Sequence, residues 1–462
     1  MKRCLWLREA LSDDDDIAQP LTGDQQADVG IVGGGYTGLW SAIRIKEARP
    51  DLAVTIVEKD ICGGGASGRN LGFVLSWWAK FFTLKKLCGE AGAIHLAHAS
   101  ADAVKEIGEF CDAHGIDAHY RYDGWLWTAT CEPHMGAWRA TIEELKRHNL
   151  RPLLELDREE VFRRTGSRRH LGGAFEENSA SVQPALLARG LRRVALEMGV
   201  TIFEESPMTQ LERSSPTRIC TNRGSLTAGK VILAMNAWGT MLPEIRRAII
   251  VVQSNMVATE PVADRLQQVG LADGVNVSDS QLQVEAYRTT PDGRLIVAKG
   301  GIGPLAYAGR VGRAYEGISR NAAELEGVMK RFYPEFSNLR CPESWVGPID
   351  RSKSGLPMFG RLGDHPDIFY GVGYSGSGVG PSVVGGRILA SLALGVEDEW
   401  STCGLVRPLT VDFPPEPICH LGGRIVQKAA RLSDAAEEKG HRPNFILRQL
   451  TALAPPGFSQ TE

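Results

Sequence analysis

The sequence predicts an α/β fold built on a parallel sheet. Residues 27–58 read as strand, glycine-rich turn, helix and strand, which is one βαβ unit of about 30 residues. Two further glycine-rich stretches follow at 63–72 and 369–381, and short strand-like runs alternate between 245 and 300. The first pattern predicts the start of a parallel sheet, and the alternating runs predict strands outside it.

The composition narrows the class of protein. The chain has 462 residues, 43% of them hydrophobic and 23% charged, as in ordinary globular proteins. Its formal net charge of −3 argues against a broad basic surface for nucleic acid. Nine scattered cysteines form no C-x-x-C pair, which indicates a reducing compartment and neither a disulfide framework nor a zinc site. With no secretory signal and no apolar run of about 18 residues, we expect a cytoplasmic protein without a transmembrane segment or a metal.

Three segments outside the glycine motifs also carry predictions. Residues 1–26 are predicted to be a polar lead-in, with a solvated turn at Asp13 to Asp16. Residues 117–130 are predicted to be an aromatic strand or hairpin, because their aromatic side chains alternate around a turn signal. A helix is predicted at 422–440, after a segment punctuated by prolines.

The first glycine motif lies between the strand and the helix of the βαβ unit. Gly33, Gly35 and Gly38 form G-x-G-x-x-G, which lets a pyrophosphate approach backbone N–H groups at the helix N-terminus. Glu58 ends the second strand, where a carboxylate can accept both ribose hydroxyls of an adenosine. The alternative is a turn that only packs helix on sheet. The carboxylate favours FAD or NAD over NADP, whose 2′-phosphate it would repel.

The second glycine motif distinguishes FAD from NAD. Residues 63–72 form a glycine-rich loop that carries Arg69 and follows Glu58 closely. An NAD fold has no need of such a loop, whereas in an FAD fold it wraps the pyrophosphate and reaches the flavin, where Arg69 can form a charge-assisted hydrogen bond. The alternative is a flexible surface loop.

The third glycine motif is a strand that runs into a glycine-rich helix start at 369–381. Exposed N–H groups at such a start can stabilise negative charge on the N1–C2=O edge of a reduced flavin. The alternative is close packing of two helices.

Together, the three motifs resemble those of the D-amino-acid-oxidase-like family of FAD-dependent oxidoreductases. The stretch 65–70 is similar to the branch that includes gamma-glutamylputrescine oxidase, although that branch usually has glycine in place of Leu71. Residues 234–238 resemble the later flavin-proximal strand and turn of the family. The resemblance covers roughly residues 25–400.

The resemblance implies a glutathione-reductase-type, Rossmann-like FAD-binding domain interleaved with an antiparallel-sheet substrate domain. We expect the FAD domain at 25–85, 150–240 and 340–400, the substrate domain at 86–149 and 241–339, and a C-terminal extension of unknown role at 401–462.

The resemblance also implies oxidation of the C–N bond of an amine or amino acid. Hydride passes from the α-carbon to flavin N5, and the imine hydrolyses to an aldehyde or keto acid. Oxygen or another acceptor reoxidises the flavin. Two alternatives stay open: a sarcosine-type secondary-amine demethylase, and an FAD-binding scaffold subunit without its own turnover.

No cysteine matches a flavin-attachment pattern, so we expect FAD to bind non-covalently. The candidate cofactor-binding residues come from the three motifs and the 234–238 segment: Gly33, Gly35, Tyr36, Thr37, Gly38, Glu58, Lys59, Gly65, Ala66, Ser67, Arg69, Asn70, Leu71, Ala234, Asn236, Trp238, Gly373, Gly376, Ser377, Gly378 and Val379.

The candidate catalytic residues are Lys299 and Tyr374. A lysine near N5 promotes the reaction with oxygen in related amine oxidases, and Lys299 interrupts an apolar strand end, although a surface lysine fits that place as well. Candidates for substrate binding are the aromatic Trp78, Tyr122 and Trp125, which can equally be core, and Arg288, which can bind an anionic group or pair with a carboxylate.

Overall fold

The computed structural model describes residues 3–12, 14, 16, 19–271 and 273–455, so the predicted turn at 13–16 lies partly outside the described residues. The described strands are β1 Gly23–Val32, β2 Val54–Val57, β3 Phe73–Val74, β4 Trp125–Ala129, β5 Leu154–Leu156, β6 Gly172–Glu176, β7 Ala180–Ser181, β8 Thr201–Phe203, β9 Gln210–Glu212, β10 Thr217–Cys220, β11 Gly224–Leu233, β12 Ile249–Ala258, β13 Asn276–Asp279, β14 Glu285–Thr289, β15 Leu295–Lys299, β16 Glu343–Ser352, β17 Met358–Arg361 and β18 Ile368–Val372.

The described α-helices are α1 Leu5–Ala10, α2 Tyr36–Ala48, α3 Phe81–Ala113, α4 Arg139–Arg147, α5 Arg158–Thr165, α6 Pro184–Glu197, α7 Pro243–Ala248, α8 Ala263–Gln268, α9 Ala322–Phe332, α10 Pro381–Leu394, α11 Ile418–Glu437 and α12 Phe445–Thr451. The backbone of α3 is interrupted at Gly89. Short 3₁₀ turns lie at Ala66–Gly68, Trp78–Lys80, Glu132–His134, Asn236–Met241, Tyr307–Gly309, Arg313–Tyr315 and Pro334–Phe336.

The first sheet confirms the predicted α/β fold class. Its order is β17-β18-β11-β1-β2-β8, and β9 and β10 extend it from β11. Strand β1 pairs in parallel with both β11 and β2, and β17 pairs antiparallel with β18. Strand β2 is buried along its whole length, as expected of a parallel strand covered on both faces. Helices α2 and α10 pack closely, because Gly386 brings α10 against Trp40 of α2.

The second sheet has the order β16-β12-β15-β14-β13-β4-β6-β5 and is antiparallel except for the pair of β4 and β13. Strands β5, β6 and β16 belong to it, although the segments 150–240 and 340–400 were assigned to the FAD domain. They join it because β6 pairs with β4 and β16 pairs with β12. The domain boundaries themselves stay predictions.

Alternation along the second sheet separates its two faces. Val297 of β15 packs with the apolar side of α9, whereas Ala298 packs with Trp345 on the opposite face. Since successive side chains of a strand point to opposite faces, Lys299 is on the α9 face with Val297.

One local prediction was wrong. Residues 5–10 form a helix in which Trp6 is buried, so the N-terminus is not a polar lead-in; its apolar residues are outnumbered by polar neighbours in the sequence. Of the strand or hairpin predicted at 117–130, the structure has the strand: β4 lies there and pairs with β13 and β6. Within the described part of the chain, no helix combines the length and hydropathy that a membrane span requires.

Candidate cofactor and active site

A cavity of about 650 Å³ lies between the two sheets and is lined by all three glycine motifs. The predicted cofactor residues that line it are Gly33, Gly35, Tyr36, Thr37, Glu58, Lys59, Gly65, Ala66, Ser67, Arg69, Asn70, Leu71, Ala234, Asn236, Trp238, Gly376, Ser377, Gly378 and Val379. Gly38 and Gly373 do not line it. The fold therefore brings together residues that are more than 300 positions apart in the sequence.

The turn between β1 and α2 requires glycine at two positions. Gly33 has φ of 112°, and a Cβ there would overlap the carbonyl oxygen of Ala234. A Cβ on Gly38 would overlap the carbonyl oxygen of Gly33. Gly38 thus closes the turn and does not face the cavity, whereas Gly35 at the helix start does.

The N-terminus of α2 is open towards the cavity. No side chain caps it at Gly35, and the Tyr36 N–H donates to Ser67 Oγ over 3.0 Å. The bond ties the first motif to the second. A Cβ on Gly35 would come within 2.9 Å of that hydroxyl. A helix start of this kind, with its positive dipole end, suits a pyrophosphate.

The Glu58 carboxylate is buried at the end of β2. Its oxygens accept hydrogen bonds from Gly34 N at 2.7 Å and from Asp60 N at 2.9 Å, and burial raises the pKa of this carboxyl. Each oxygen takes one of these bonds, so lone pairs remain for two ribose hydroxyls.

The second glycine loop is held by hydrogen bonds within the loop and by one to a distant segment. Asn70 donates to Ser67 O at 2.8 Å and accepts from Gly72 N at 2.7 Å. The guanidinium of Arg69 is buried and donates to the carbonyl oxygens of Gly64 and Glu316. These bonds fix the loop that would surround the cofactor.

Lys59 and Trp238 form a platform beside the first motif. Lys59 Nζ lies 4.1 Å from the centroid of the Trp238 ring and pairs with Glu316. Both residues line the cavity. A flat indole face of this kind can stack on an aromatic cofactor ring.

Asp350 joins the third motif to the 234–238 segment, and sequence reasoning missed it. Its carboxylate accepts from Asn236 Nδ2 at 2.9 Å and from Gly373 N at 2.6 Å. Burial raises the pKa of Asp350 to about 7. Gly373 is therefore a positioning residue behind the cavity wall.

These features fit FAD. The open helix start suits the pyrophosphate, and Glu58 has free lone pairs for a ribose. The third motif presents the glycine-rich start of α10, and residues 376–379 line the cavity there. No cysteine lines the cavity in the ranges that the structure describes, and non-covalent attachment stays a prediction.

The sequence profile of the family described as FAD dependent oxidoreductase (DAO) matches residues 28–392. The chain belongs to this family. It is therefore an FAD-dependent oxidoreductase, and the fold and the cofactor predicted from the motifs are confirmed. The contacts of individual residues with FAD stay predictions.

Three similar proteins agree with the family. The chain is 28% identical to a probable oxidoreductase OrdL of Haemophilus influenzae, over 83% of this chain and 86% of that protein. It is 29% identical to gamma-glutamylputrescine oxidoreductase of Escherichia coli, over 80% and 84%. The crystal structure of glycine oxidase from Geobacillus kaustophilus superposes with a TM-score of 0.68 at 21% identity, covering 84% of this chain and 99% of that one.

Lys299 is not among the residues that line the cavity, and its role with oxygen stays a prediction. Its Nζ pairs with Glu285 Oε1 at 2.9 Å and lies 3.5 Å from Glu324 of α9. Its neighbours Ala298 and Gly300 line the cavity instead. The reason is that successive side chains of β15 point to opposite faces, so Lys299 faces away from the wall that Ala298 forms. The sequence alone does not show which of the two faces the cavity.

The predicted substrate residues also lie outside the cavity. Arg288 is buried and donates to the carbonyl oxygens of Leu71 and Val182, both over 2.6 Å, so it supports the second glycine loop. Trp125 is buried behind Ser278, to which it donates at 3.1 Å.

The other two predicted aromatics have different surroundings. Trp78 is buried edge-on against His98, whereas the Tyr122 ring is partly exposed and its hydroxyl bonds to Asn178. Of these two aromatic residues, Trp78 is thus part of the core and Tyr122 lies at the surface.

Tyr374 lines the cavity, as does Thr37, the partner of its hydroxyl. Thr37 Oγ1 donates to it over 2.8 Å, and burial raises the pKa of the Tyr374 phenol. The bond joins the start of α2 to the third motif, so the hydroxyl holds two motifs together. The catalytic role of Tyr374 stays a prediction.

Two cations of the cavity wall were missed by sequence reasoning. Lys80 and Arg351 line the cavity beside the third motif, where Arg351 pairs through its backbone with Tyr374. Burial and the neighbouring Arg351 lower the pKa of Lys80 to about 7, and burial lowers the pKa of Arg351. Lys80 Nζ donates to Gly355 O at 2.8 Å, and Arg351 Nη2 donates to Pro455 O at 3.2 Å.

The C-terminal extension also reaches the cavity, although it lies outside the family match. Ala430 of α11 and Pro455 line the wall. The Asp434 carboxylate of α11 accepts from the backbone N–H groups of Leu282 and Gln283, both at 2.9 Å. The extension thus braces a loop of the second sheet that lines the cavity.

Gly35→Val should yield largely colourless protein. The larger side chain would push on Ser67 and fill the space in front of the α2 N-terminus, so we expect FAD to bind at least about tenfold more weakly, a loss of about 1.4 kcal/mol. Visible flavin absorbance per mole of purified protein measures this. Gly312→Val is the matched control, because nothing lies near a Cβ there. Full flavin content in Gly35→Val would refute the assignment of the first motif.

Lys299→Met should destabilise the fold and leave the reaction with oxygen unchanged. It removes one of two cationic partners of the buried Glu285 and leaves Arg331, so we expect the free energy of unfolding in urea to fall by about 1.5 kcal/mol. The exposed Lys105→Met is the control for both measurements. If reduced Lys299→Met enzyme reoxidised much more slowly in air at unchanged stability, Lys299 would return to the mechanism.

Proposed function

We propose that the protein oxidises the C–N bond of a small amine or amino acid that also carries an anionic group. The observation that carries the proposal is the pair of cations, Lys80 and Arg351, in the wall of the same cavity that the cofactor motifs line. Guanidinium and ammonium groups bind carboxylates and phosphonates through charge-assisted hydrogen bonds.

The carboxylates in the cavity favour the same substrate class. In the described part of the chain, the cavity is lined by only two, Glu58 and Asp350, and both accept hydrogen bonds from backbone N–H groups. A polyamine without an anionic group would need a further carboxylate for its distal ammonium. The cavity therefore suits an amine whose other end is negative.

Bound FAD would accept a hydride from the α-carbon of the amine, and water would hydrolyse the resulting imine to an aldehyde or keto acid with release of ammonia or an amine. The chain has to hold the amine in its neutral form and away from water. The apolar wall formed by the second sheet meets both requirements. Its side chains are those of Met256, Ala286 and Ala298, together with Leu282 and Val284. A low-dielectric wall disfavours the ammonium form.

The relatives support an amine substrate. Gamma-glutamylputrescine oxidoreductase of Escherichia coli is named for a conjugate that has both an amine and a carboxylate. Glycine oxidase of Pseudomonas aeruginosa is 24% identical over 79% of this chain and 94% of that protein.

We also propose that the enzyme works in the cytoplasm without a nucleic-acid partner. All nine cysteines are free, which suits a reducing compartment. The formal net charge of −3 supports the second part.

Anaerobic mixing with candidate substrates tests the proposed reaction. Amines with a carboxylate or phosphonate, gamma-glutamylputrescine among them, should bleach the visible flavin absorbance, and putrescine and spermidine should not. Bleaching by N-methyl amino acids alone would favour the sarcosine-type demethylase, and bound flavin that no amine bleaches would favour the scaffold subunit. Readmitted air then distinguishes an oxidase from a dehydrogenase.

Binding of a simple carboxylate should weaken as the pH rises through about 7. The pKa of Lys80 is lowered to about 7, so its charge is present below that pH and lost above it. If glutarate binds only when Lys80 carries its positive charge, the dissociation constant of glutarate should rise about tenfold from pH 6 to pH 8. Perturbation of the flavin spectrum on titration measures it, and glutarate has no amine that titrates in this range.

Lys80→Met should bind glutarate weakly at every pH, with its FAD content unchanged. Lys105→Met should keep the wild-type profile, since that lysine is exposed on α3. A wild-type pH profile in Lys80→Met would remove Lys80 from the substrate site.

A further inference from the structure

The outward side of the C-terminal helices carries an unusual concentration of exposed apolar side chains. Seven of the fifteen large apolar side chains that are exposed among the described residues lie between residues 418 and 453. They are Ile418, Leu421, Ile425 and Leu432 of α11, Phe445 and Ile446 of α12, and Leu453. On α11 they recur at i, i+3, i+7 and i+14, which places them on one stripe of the helix.

A second stripe beside the first is basic. Arg424, Lys428 and Arg431 of α11 are exposed and recur at i, i+4 and i+7. Three more exposed cations follow in the same segment, namely Lys439, Arg442 and Arg448. Arg431 lies 3.2 Å from Glu324, and across the described residues no ion pair joins the other five to a carboxylate.

The acidic residues of the same segment face the opposite way. Asp434 accepts from the backbone of the loop at 282–283, Glu437 contacts His134 at 3.0 Å, and Glu438 accepts from Gln281 at 2.9 Å. The negative charges therefore attach α11 to the second sheet and its neighbours, and the charge presented outward is positive. In a chain of net charge −3, this is a local cationic patch.

We propose that the outward face of α11 and α12 binds the surface of an anionic lipid bilayer. An apolar stripe flanked by lysine and arginine is the pattern of a helix that lies in the interface plane, with its apolar side chains among the acyl chains and its cations at the headgroups. Binding in the interface requires no helix that crosses the membrane.

The same charges disfavour a second copy of the chain as the occupant. A two-fold contact would place this patch against itself, because such interfaces use the same surface on both subunits. Like charges would then face each other across the contact, which opposes association. An anionic surface satisfies the apolar and the basic stripe together.

Flotation of the full-length holoenzyme with lipid vesicles tests the proposal. We expect the enzyme to float with phosphatidylcholine vesicles that contain phosphatidylglycerol and to stay behind with phosphatidylcholine alone. Binding should fall at high salt, because the headgroup attraction is screened. An enzyme that does not float with the anionic vesicles would overturn the proposal, and so would equal binding to both kinds of vesicle.

Two variants separate the stripes. Leu421→Ser/Ile425→Ser removes part of the apolar stripe, and Lys428→Glu should weaken binding by at least about fivefold, since one basic residue near the surface contributes about that factor. Leu154→Ser and Lys105→Glu change exposed residues elsewhere and should bind as the wild type does. FAD content checks the fold of every variant. Unchanged flotation of both patch variants would exclude this face.

Sedimentation velocity without lipid tests the alternative occupant of this face, a second copy of the chain. A wild-type enzyme that self-associates, while Leu421→Ser/Ile425→Ser is monomeric and neither floats with vesicles, would show a contact between copies and would overturn the lipid proposal.

Discussion

The second glycine loop is the constraint on which both sides of the cavity depend. Its carbonyl oxygens accept hydrogen bonds from Trp6 of α1, Trp345 of β16 and Arg288 of β14. A buried carbonyl left without a partner costs about 1–3 kcal/mol, so these bonds hold the loop against both the N-terminal helix and the second sheet. The cavity exists because two sheets are fixed to one loop and leave a space beside it.

The charged groups of the cavity wall are held by the framework of the motifs. The carboxylates of Glu58 and Asp350 accept hydrogen bonds from backbone N–H groups of the first and third motifs. Arg351 follows Asp350 in β16, lines the cavity with Lys80 and donates to Pro455 O of the C-terminal extension. Strand β16 thus carries a carboxylate and a guanidinium at consecutive positions of the wall, and the proposed substrate site depends on that guanidinium and on Lys80.

The sequence predicted the parts of the site that depend on backbone conformation, such as the glycine turns. It did not predict which side chains of a strand point into the cavity. The spacing of Gly33, Gly35 and Gly38 predicts the turn because only glycine fits such close approaches. Lys299 and Ala298 are neighbours on one strand, and only the register shows that Ala298 faces the cavity. Lys80 and Arg351 could not be paired from the sequence, because they lie far apart in it and no motif marks them.

A crystal structure of the enzyme grown with glutarate tests the central claim most directly. The account predicts FAD along the three glycine motifs, with a glutarate carboxylate within hydrogen-bond distance of Lys80 or Arg351. FAD in the cavity with glutarate bound elsewhere would contradict the assignment of Lys80 and Arg351 to the substrate site, and FAD bound outside the three motifs would contradict the site as a whole.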